Sequence, residues 1–235
     1  MRSNLQKNYF NLFENQFSID QAITPILSQR LEMNQLFNLL NPLPKSTILD
    51  YGSGTGRLSL FFLSNGFNVV AYDISFNSLK NLRTAYSKFK NSNWGKLKTF
   101  TTLPLHLKTK YIVGSDVLHH ISLKQELPMM YKHLAFNGKL VFSEPNPYNI
   151  SWYLFYFIRR IPWSIESKIM NCTRNNLFQE LKSISFKNIQ FTPHGLLPTR
   201  LLNSFPKLCS FNALILPKLF PLSLLSYRTI VSAQK

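Results

Sequence analysis

The chain has 235 residues, 45% hydrophobic and 14% aromatic, which is enough to bury a full core and unlike disordered or disulfide-framed chains. Lysine and arginine outnumber aspartate and glutamate 27 to 10. That excess favours nucleic acid, an anionic membrane surface or an acidic substrate, and equally suits lysine-covered solvated faces.

Cys172 and Cys209 are too few and too far apart for a disulfide framework or a metal site, so a reducing compartment and no metal are expected. The opening M-R-S-N-L-Q-K-N has no apolar core for a signal peptide. No apolar run reaches the ~18 residues of a spanning helix; 150–158 is short, and 211–227 is broken by Pro217, Lys218 and Pro221. These features predict a cytoplasmic protein, soluble or attached at a membrane surface.

Residues 5–44 carry apolar side chains mostly three and four apart, from Leu5, Tyr9 and Phe10 to Leu39 and Leu40, which predicts two or three helices ended by Asn41-Pro42 and Pro44. An apolar strand then runs into I-L-D-Y-G-S-G-T-G-R, residues 48–57. Glycine takes positive φ freely and presents bare backbone, so Gly52, Ser53, Gly54 and Gly56 form a cradle for a ligand. The unpaired N–H groups of the next helix favour an anionic group there. The spacing D-x-G-x-G-x-G, with Asp50 leading, brings the third glycine one residue earlier than the dinucleotide fingerprint G-x-G-x-x-G requires. F-N-V-V-A-Y-D, 67–73, is a second strand ending in Asp73, placed to accept hydrogen bonds from both hydroxyls of a ribose. The helix after the loop is apolar nearly all round, and the next is amphipathic, so strand and helix alternate as in a parallel sheet.

A third strand is expected over 96–101 and a fourth over 111–115, followed by Asp116, His119 and His120. Ligands lie beyond the carboxyl ends of such strands, so these groups rise beside the glycine loop, where a histidine could take a proton from an acceptor or simply pack against the sheet. Pro128 predicts a helix from 128 to 136, and Asn137-Gly138 a turn into strand five, 139–143. Glu144 then faces the histidines as a proton-accepting partner or as a cap of the proline turn, with Asn146 able to hold a substrate oxygen. I-S-W-Y-L-F-Y-F-I-R-R-I-P-W, 150–163, is a poor surface for water. It reads as a lid that sets Trp152 over the substrate mouth, or as a membrane contact with Arg159 and Arg160 at the phosphates. Strand six is expected over 186–191, a loop carrying His194 after it, and a last strand over 227–234.

L-D-Y-G-S-G-T-G, V-V-A-Y-D, G-S-D-V-L-H-H-I and N-G-K-L-V-F-S-E-P, in this order, resemble the class I S-adenosylmethionine-dependent methyltransferases of small-molecule type. The resemblance covers 46–145 well and the flanks loosely. It implies a Rossmann-like, doubly wound α/β fold: a seven-stranded, mostly parallel sheet with an antiparallel last strand and helices on both faces. It implies one domain, with a helical cap over 1–45, a cofactor-binding core over 46–145, and a lid with the last two strands over 146–235. The cofactor would be S-adenosyl-L-methionine, held by Asp50, the glycine loop and Asp73. Asp116 would orient its methionine end, and Ile74 and Leu103 would pack on adenine where Thr101 and Thr102 replace the family's usual acid. His119, His120 and Glu144 are the candidate catalytic groups, and Tyr9, Asn146, Trp152 and His194 the candidate substrate contacts. The acceptor would be a small molecule or lipid-like; peripheral contact with an anionic membrane is the alternative to a lid for 150–163. Nucleic-acid methylation and a non-catalytic cofactor-binding role are the alternatives.

Overall fold

The structure is a computed structural model that describes residues 24–198 and 202–235. Chain order runs α1 (Leu27–Leu40), β1 (Thr47–Tyr51), α2 (Arg57–Ser64), β2 (Asn68–Tyr72), α3 (Phe76–Phe89), β3 (Leu97–Phe100), β4 (Thr109–Ser115), α4 (Leu123–His133) and β5 (Leu134–Pro145). It continues with α5 (Ile150–Ile158), α6 (Trp163–Glu166), a 3₁₀ turn, α7 (Arg174–Ser183), β6 (Lys187–His194), α8 (Pro206–Leu214) and β7 (Arg228–Gln234). The strands form a single seven-stranded sheet in the order β3-β2-β1-β4-β5-β7-β6. Its first five members are parallel, and β7 runs antiparallel to both β5 and β6. This is the Rossmann-like, mostly parallel sheet with antiparallel last strand that the resemblance implies.

Period-two alternation divides the apolar residues between the two faces of the sheet. Leu49, Ile112, Leu140, Phe142 and Val231 pack under α4 and α7, with Leu127, Met130, Leu177 and Leu181. Ile48, Val113, Val141 and Ile230 pack against α1, α2 and α3, with Leu36, Phe62, Leu79 and Leu82. The α3 helix starts where Ser75 accepts a hydrogen bond from the Ser78 N–H at 3.1 Å, an N-cap, and turns Leu79, Leu82 and Ala85 inward.

Three expectations from the sequence change. The helix expected over 128–136 starts five residues earlier and ends three earlier, with Pro128 inside it. Gln125 and Glu126 N–H groups both bond the Ser122 carbonyl, and Leu123, Leu127 and Met130 bury together, so packing outweighs the one amide that proline lacks. Asn137-Gly138 is not a turn between elements but part of a long β5. The register jumps from Thr109↔Leu134 to Tyr111↔Lys139, and the extra residues bulge out with Asn137 at φ +54°. Strand β6 runs on to His194, which ends a strand instead of sitting in a loop.

Candidate active site

The carboxyl ends of β1, β2, β4 and β5 meet at one edge of the sheet, and the glycine loop folds across it. Gly52 and Ser53 donate their N–H groups to the Tyr72 carbonyl at 2.8 and 2.9 Å, which ties the loop to the end of β2. Gly52, Gly54 and Gly56 all take positive φ: 74°, 52° and 101°. A Cβ on Gly52 would come 2.4 Å from Val117 Cγ2, and one on Gly56 2.3 Å from Leu82 Cδ1, so both are close-approach positions. A Cβ on Gly54 would meet nothing within 4 Å. Its backbone therefore faces open space, as a cradle requires, and the buried Ser53 hydroxyl beside it has no hydrogen-bond partner among the described residues.

The tip of β2 brings Asp73 to this loop: its Oδ2 accepts the Gly54 N–H at 2.8 Å and its Oδ1 the Ser75 N–H at 2.8 Å. The amides of Gly52, Ser53 and Gly54 are thus engaged within the protein, and what the loop leaves open is the outer side of the Gly54 backbone, not a row of bare donors. These two bonds fix the direction of the Asp73 carboxylate at the loop. Ile74 next to it is exposed, whereas Leu103 lies in the core and Thr101 and Thr102 face solvent. Below the loop, Asp50 is fully buried with Ser59 donating to it at 2.6 Å. Burial raises its carboxyl to about 7, Asp73 nearby adds to the rise, and the Ser59 hydroxyl opposes it.

A second constellation begins where β4 ends. Asp116, at φ +59°, receives Arg228 Nη2 at 2.7 Å and Arg57 Nη2 at 3.3 Å. Arg228, from the start of β7, also bonds Glu32 of α1 at 3.0 Å and the Ser143 hydroxyl at 2.8 Å, and lies 5.6 Å over the Trp152 ring. Burial pushes the Asp116 and Glu32 carboxyls up, but Arg228 and Arg57 outweigh it and hold both below the usual range. Trp152 stacks on Tyr227 at 4.4 Å and donates its indole N–H to the Tyr227 carbonyl. His194 reaches the same region from β6, with Nδ1 2.6 Å from Gln35 of α1; burial lowers its pKa to about 4 and keeps it neutral.

The histidine pair forms a third group. Glu144 accepts the Val117 and Leu118 N–H groups through Oε1, at 3.0 and 2.9 Å, and meets His119 Nδ1 through Oε2 at 2.6 Å. Glu166 lies 3.4 Å from the other ring nitrogen. Burial disfavours charge on His119, yet its bonds to Glu144 and Glu166 raise its pKa to about 10. His119 therefore holds its proton at neutral pH and is no proton acceptor there. His120 packs on it at 3.9 Å between centroids, and burial together with the His119 charge keeps it neutral. Cys172 joins the cluster with Sγ 3.9 Å from Glu144, and His119 with Glu144 and Cys172, or with His120 and Glu166, offers donor atoms of metal-ligating type within 4.8 Å of one another.

This pairing has a pH signature. A histidine raised from its ordinary ~6.5 stabilises the fold fully below that value and loses its contribution as pH rises through about 10. Glu144→Gln should lower stability at pH 6 by about 3 kcal/mol and flatten the decline between pH 7 and 10, followed by urea unfolding. An unchanged slope in the variant would mean that Glu144 does not set the His119 charge.

Asn146 stands apart from these groups. Both Asn146 amide hydrogens are directed at the Leu224 and Ser226 carbonyls, at 2.9 and 2.8 Å, so the side chain clamps the 224–226 turn. Tyr9 lies outside the described residues. Sequence reasoning missed Glu32, Arg57, Glu166 and Arg228; only Arg57, directly after the last loop glycine, carried a local signal.

A family profile described as a methyltransferase domain matches residues 26–190. No curated protein sequence matches the chain. Among solved structures, a SAM-dependent methyltransferase from Archaeoglobus fulgidus superposes with a TM-score of 0.62 at 13% identity, covering 97% of this chain and 99% of that one. The cyclopropane synthase MmaA2 from Mycobacterium tuberculosis gives 0.58 at 12%, covering 86% and 82%. A Haemonchus contortus phosphoethanolamine N-methyltransferase, crystallised with phosphomonomethylethanolamine and S-adenosylhomocysteine, gives 0.57 at 15%, covering 87% and 52%. Sheet order and glycine crevice together define the fold of the class I S-adenosylmethionine-dependent methyltransferases. The chain belongs to the methyltransferase-domain family, whose cofactor is S-adenosyl-L-methionine.

Proposed function

We propose that this methyltransferase acts on a small-molecule or lipid-like acceptor, with 46–145 holding the cofactor, 1–45 capping it and 146–235 shaping the acceptor side. The observation that carries the acceptor class is the surround of the crevice: α5 and the stretch from α8 to β7, both apolar, leave the sheet at the end where the glycine loop and Asp73 lie. The relatives point the same way, since a cyclopropane synthase and a phosphoethanolamine methyltransferase share the fold.

In this reading, Asp73 holds the ribose hydroxyls and the Gly54 backbone carries the amino-acid end, with Ser53 donating to it. Ile74 covers the adenine from its exposed position. When bound, the cofactor supplies an electrophilic methyl group on a sulfonium. Asp116, fixed by Arg228 and Arg57, keeps its negative charge and orients the cationic end of the ligand. His120 is neutral and has a ring nitrogen to accept a proton, but burial and the charged His119 beside it oppose its protonation, so it serves as a weak proton acceptor that His119 with Glu144 positions. Trp152 and His194, set by Tyr227 and Gln35, line the acceptor side. Alignment of reactants is worth ~10⁵–10⁸ M in effective concentration against ~10²–10⁴-fold for a general base, so binding groups outweigh His120 in the rate.

Incubation of the purified protein with methyl-labelled cofactor and a fractionated cell extract tests this reading. Label should enter the lipid or small-molecule fraction; label confined to RNA or protein would contradict it.

A further inference from the structure

The apolar segments at the crevice mouth expose more hydrophobic surface than a soluble enzyme needs. Ile150, Phe157 and Phe220 are 80%, 81% and 84% exposed, and Leu154, Ile158 and Phe205 are each more than half exposed. Ile150, Leu154, Phe157 and Ile158, spaced three and four apart, share one face of α5, and the segments that carry Phe205 and Phe220 are tied to the same region. Asn149, capping α5, donates to the Leu196 and Leu225 carbonyls at 2.9 and 2.7 Å, and Asn212 of α8 accepts the Leu197 N–H at 3.0 Å, so α5, the turn after β6, α8 and the 222–225 turn are knitted together. None of the helices among the described residues is long and apolar enough to cross a membrane. Contiguous exposed apolar surface of this kind marks an interaction site.

Charge identifies the partner. Over 145–165 and 195–227 the sequence has no acidic residue, while Arg159, Arg160, Lys207 and Lys218 are all exposed there. A second copy of the same face would set these cations against each other, and nucleic acid would leave the aromatic and aliphatic side chains without contacts. An anionic bilayer satisfies both: the apolar side chains enter the headgroup–acyl boundary and the cations meet phosphates.

We propose that this face docks on an anionic lipid bilayer, with α5 and α8 lying in the interface and the crevice mouth turned toward the lipid. Docking is independent of turnover, since it needs neither cofactor nor acceptor, and its failure would leave the methyltransferase reading intact. An acceptor embedded in the bilayer could then present its polar end to the crevice without leaving the lipid.

The full chain is tested by sedimentation with vesicles of phosphatidylcholine alone and of phosphatidylcholine mixed with phosphatidylglycerol, at low and high salt. Binding should be about tenfold or more stronger to the anionic vesicles and weaken with salt. The double variant Phe157→Asp/Phe220→Asp should lose about tenfold or more of that binding, and Arg159→Glu/Arg160→Glu should lose the preference for anionic lipid. Cofactor affinity and thermal midpoint, measured alongside, should stay unchanged and so exclude misfolding. Vesicle binding equal in wild type and the aspartate variant would overturn the proposal, as would no binding at all. A vesicle-independent dimer broken by the same substitutions would overturn it in favour of a second copy.

Discussion

Arg228→Ala should lower the stability of the protein by about 3–5 kcal/mol, or roughly 10 °C in thermal midpoint for a domain of this size. Arg228 and Glu32 have side chains only 6% and 8% exposed and form an ion pair at 3.0 Å, so the variant strands a buried carboxylate with its countercharge gone. Asp116, with a side chain 39% exposed, keeps solvent contact and adds less. The Ser143 carbonyl and hydroxyl also lose a donor. The sign of the effect with pH follows from the two carboxyls, both held below their ordinary value. Their contribution is present above about pH 4 and lost as pH falls through their folded values, so the difference between wild type and variant should shrink in acid. Glu32→Ala/Arg228→Ala should be less unstable than the sum of the single variants, with a coupling of about 1 kcal/mol or more in a double-mutant cycle. Strict additivity would mean that the ion pair contributes nothing.

What the sequence made legible was local. The glycine loop, the strand ending in Asp73, and Asp116 at the end of β4 each sit within a short motif whose flanking strand and helix are visible as apolar runs, and the structure gathers them at one sheet edge. The network around Arg228 was hidden because α1, the end of β4 and the start of β7 meet only through the sheet: Arg228 and Asp116 are 112 positions apart. Glu144 was seen as a partner for a histidine, but its second task, holding the Val117 and Leu118 amides, depends on a turn that no periodicity describes. The Asn137-Gly138 pair shows the limit of turn chemistry as a boundary signal. The pair predicts a turn ahead of strand five, but the tertiary pairing of β4 with β5 takes its left-handed residue into β5 as a bulge.

The Asp73→Ala variant should lose most of the affinity for S-adenosylmethionine, by about 100-fold or more, because a carboxylate gripping two hydroxyls makes charge-assisted bonds worth about 1.5–3 kcal/mol each. The same change removes the acceptor of the Gly54 and Ser75 N–H groups, so the loop loosens as well. Asp73→Asn separates the two effects, since it keeps an acceptor for Gly54 while giving up the charge. Calorimetric titration of wild type, Asp73→Asn and Asp73→Ala with S-adenosylmethionine reads this most directly. A single saturable site in the wild type, weakened stepwise through the two variants at unchanged folding, is the outcome that follows from the crevice geometry. Equal affinity in all three, or no binding by the wild type, would contradict the assignment of this crevice as the cofactor site.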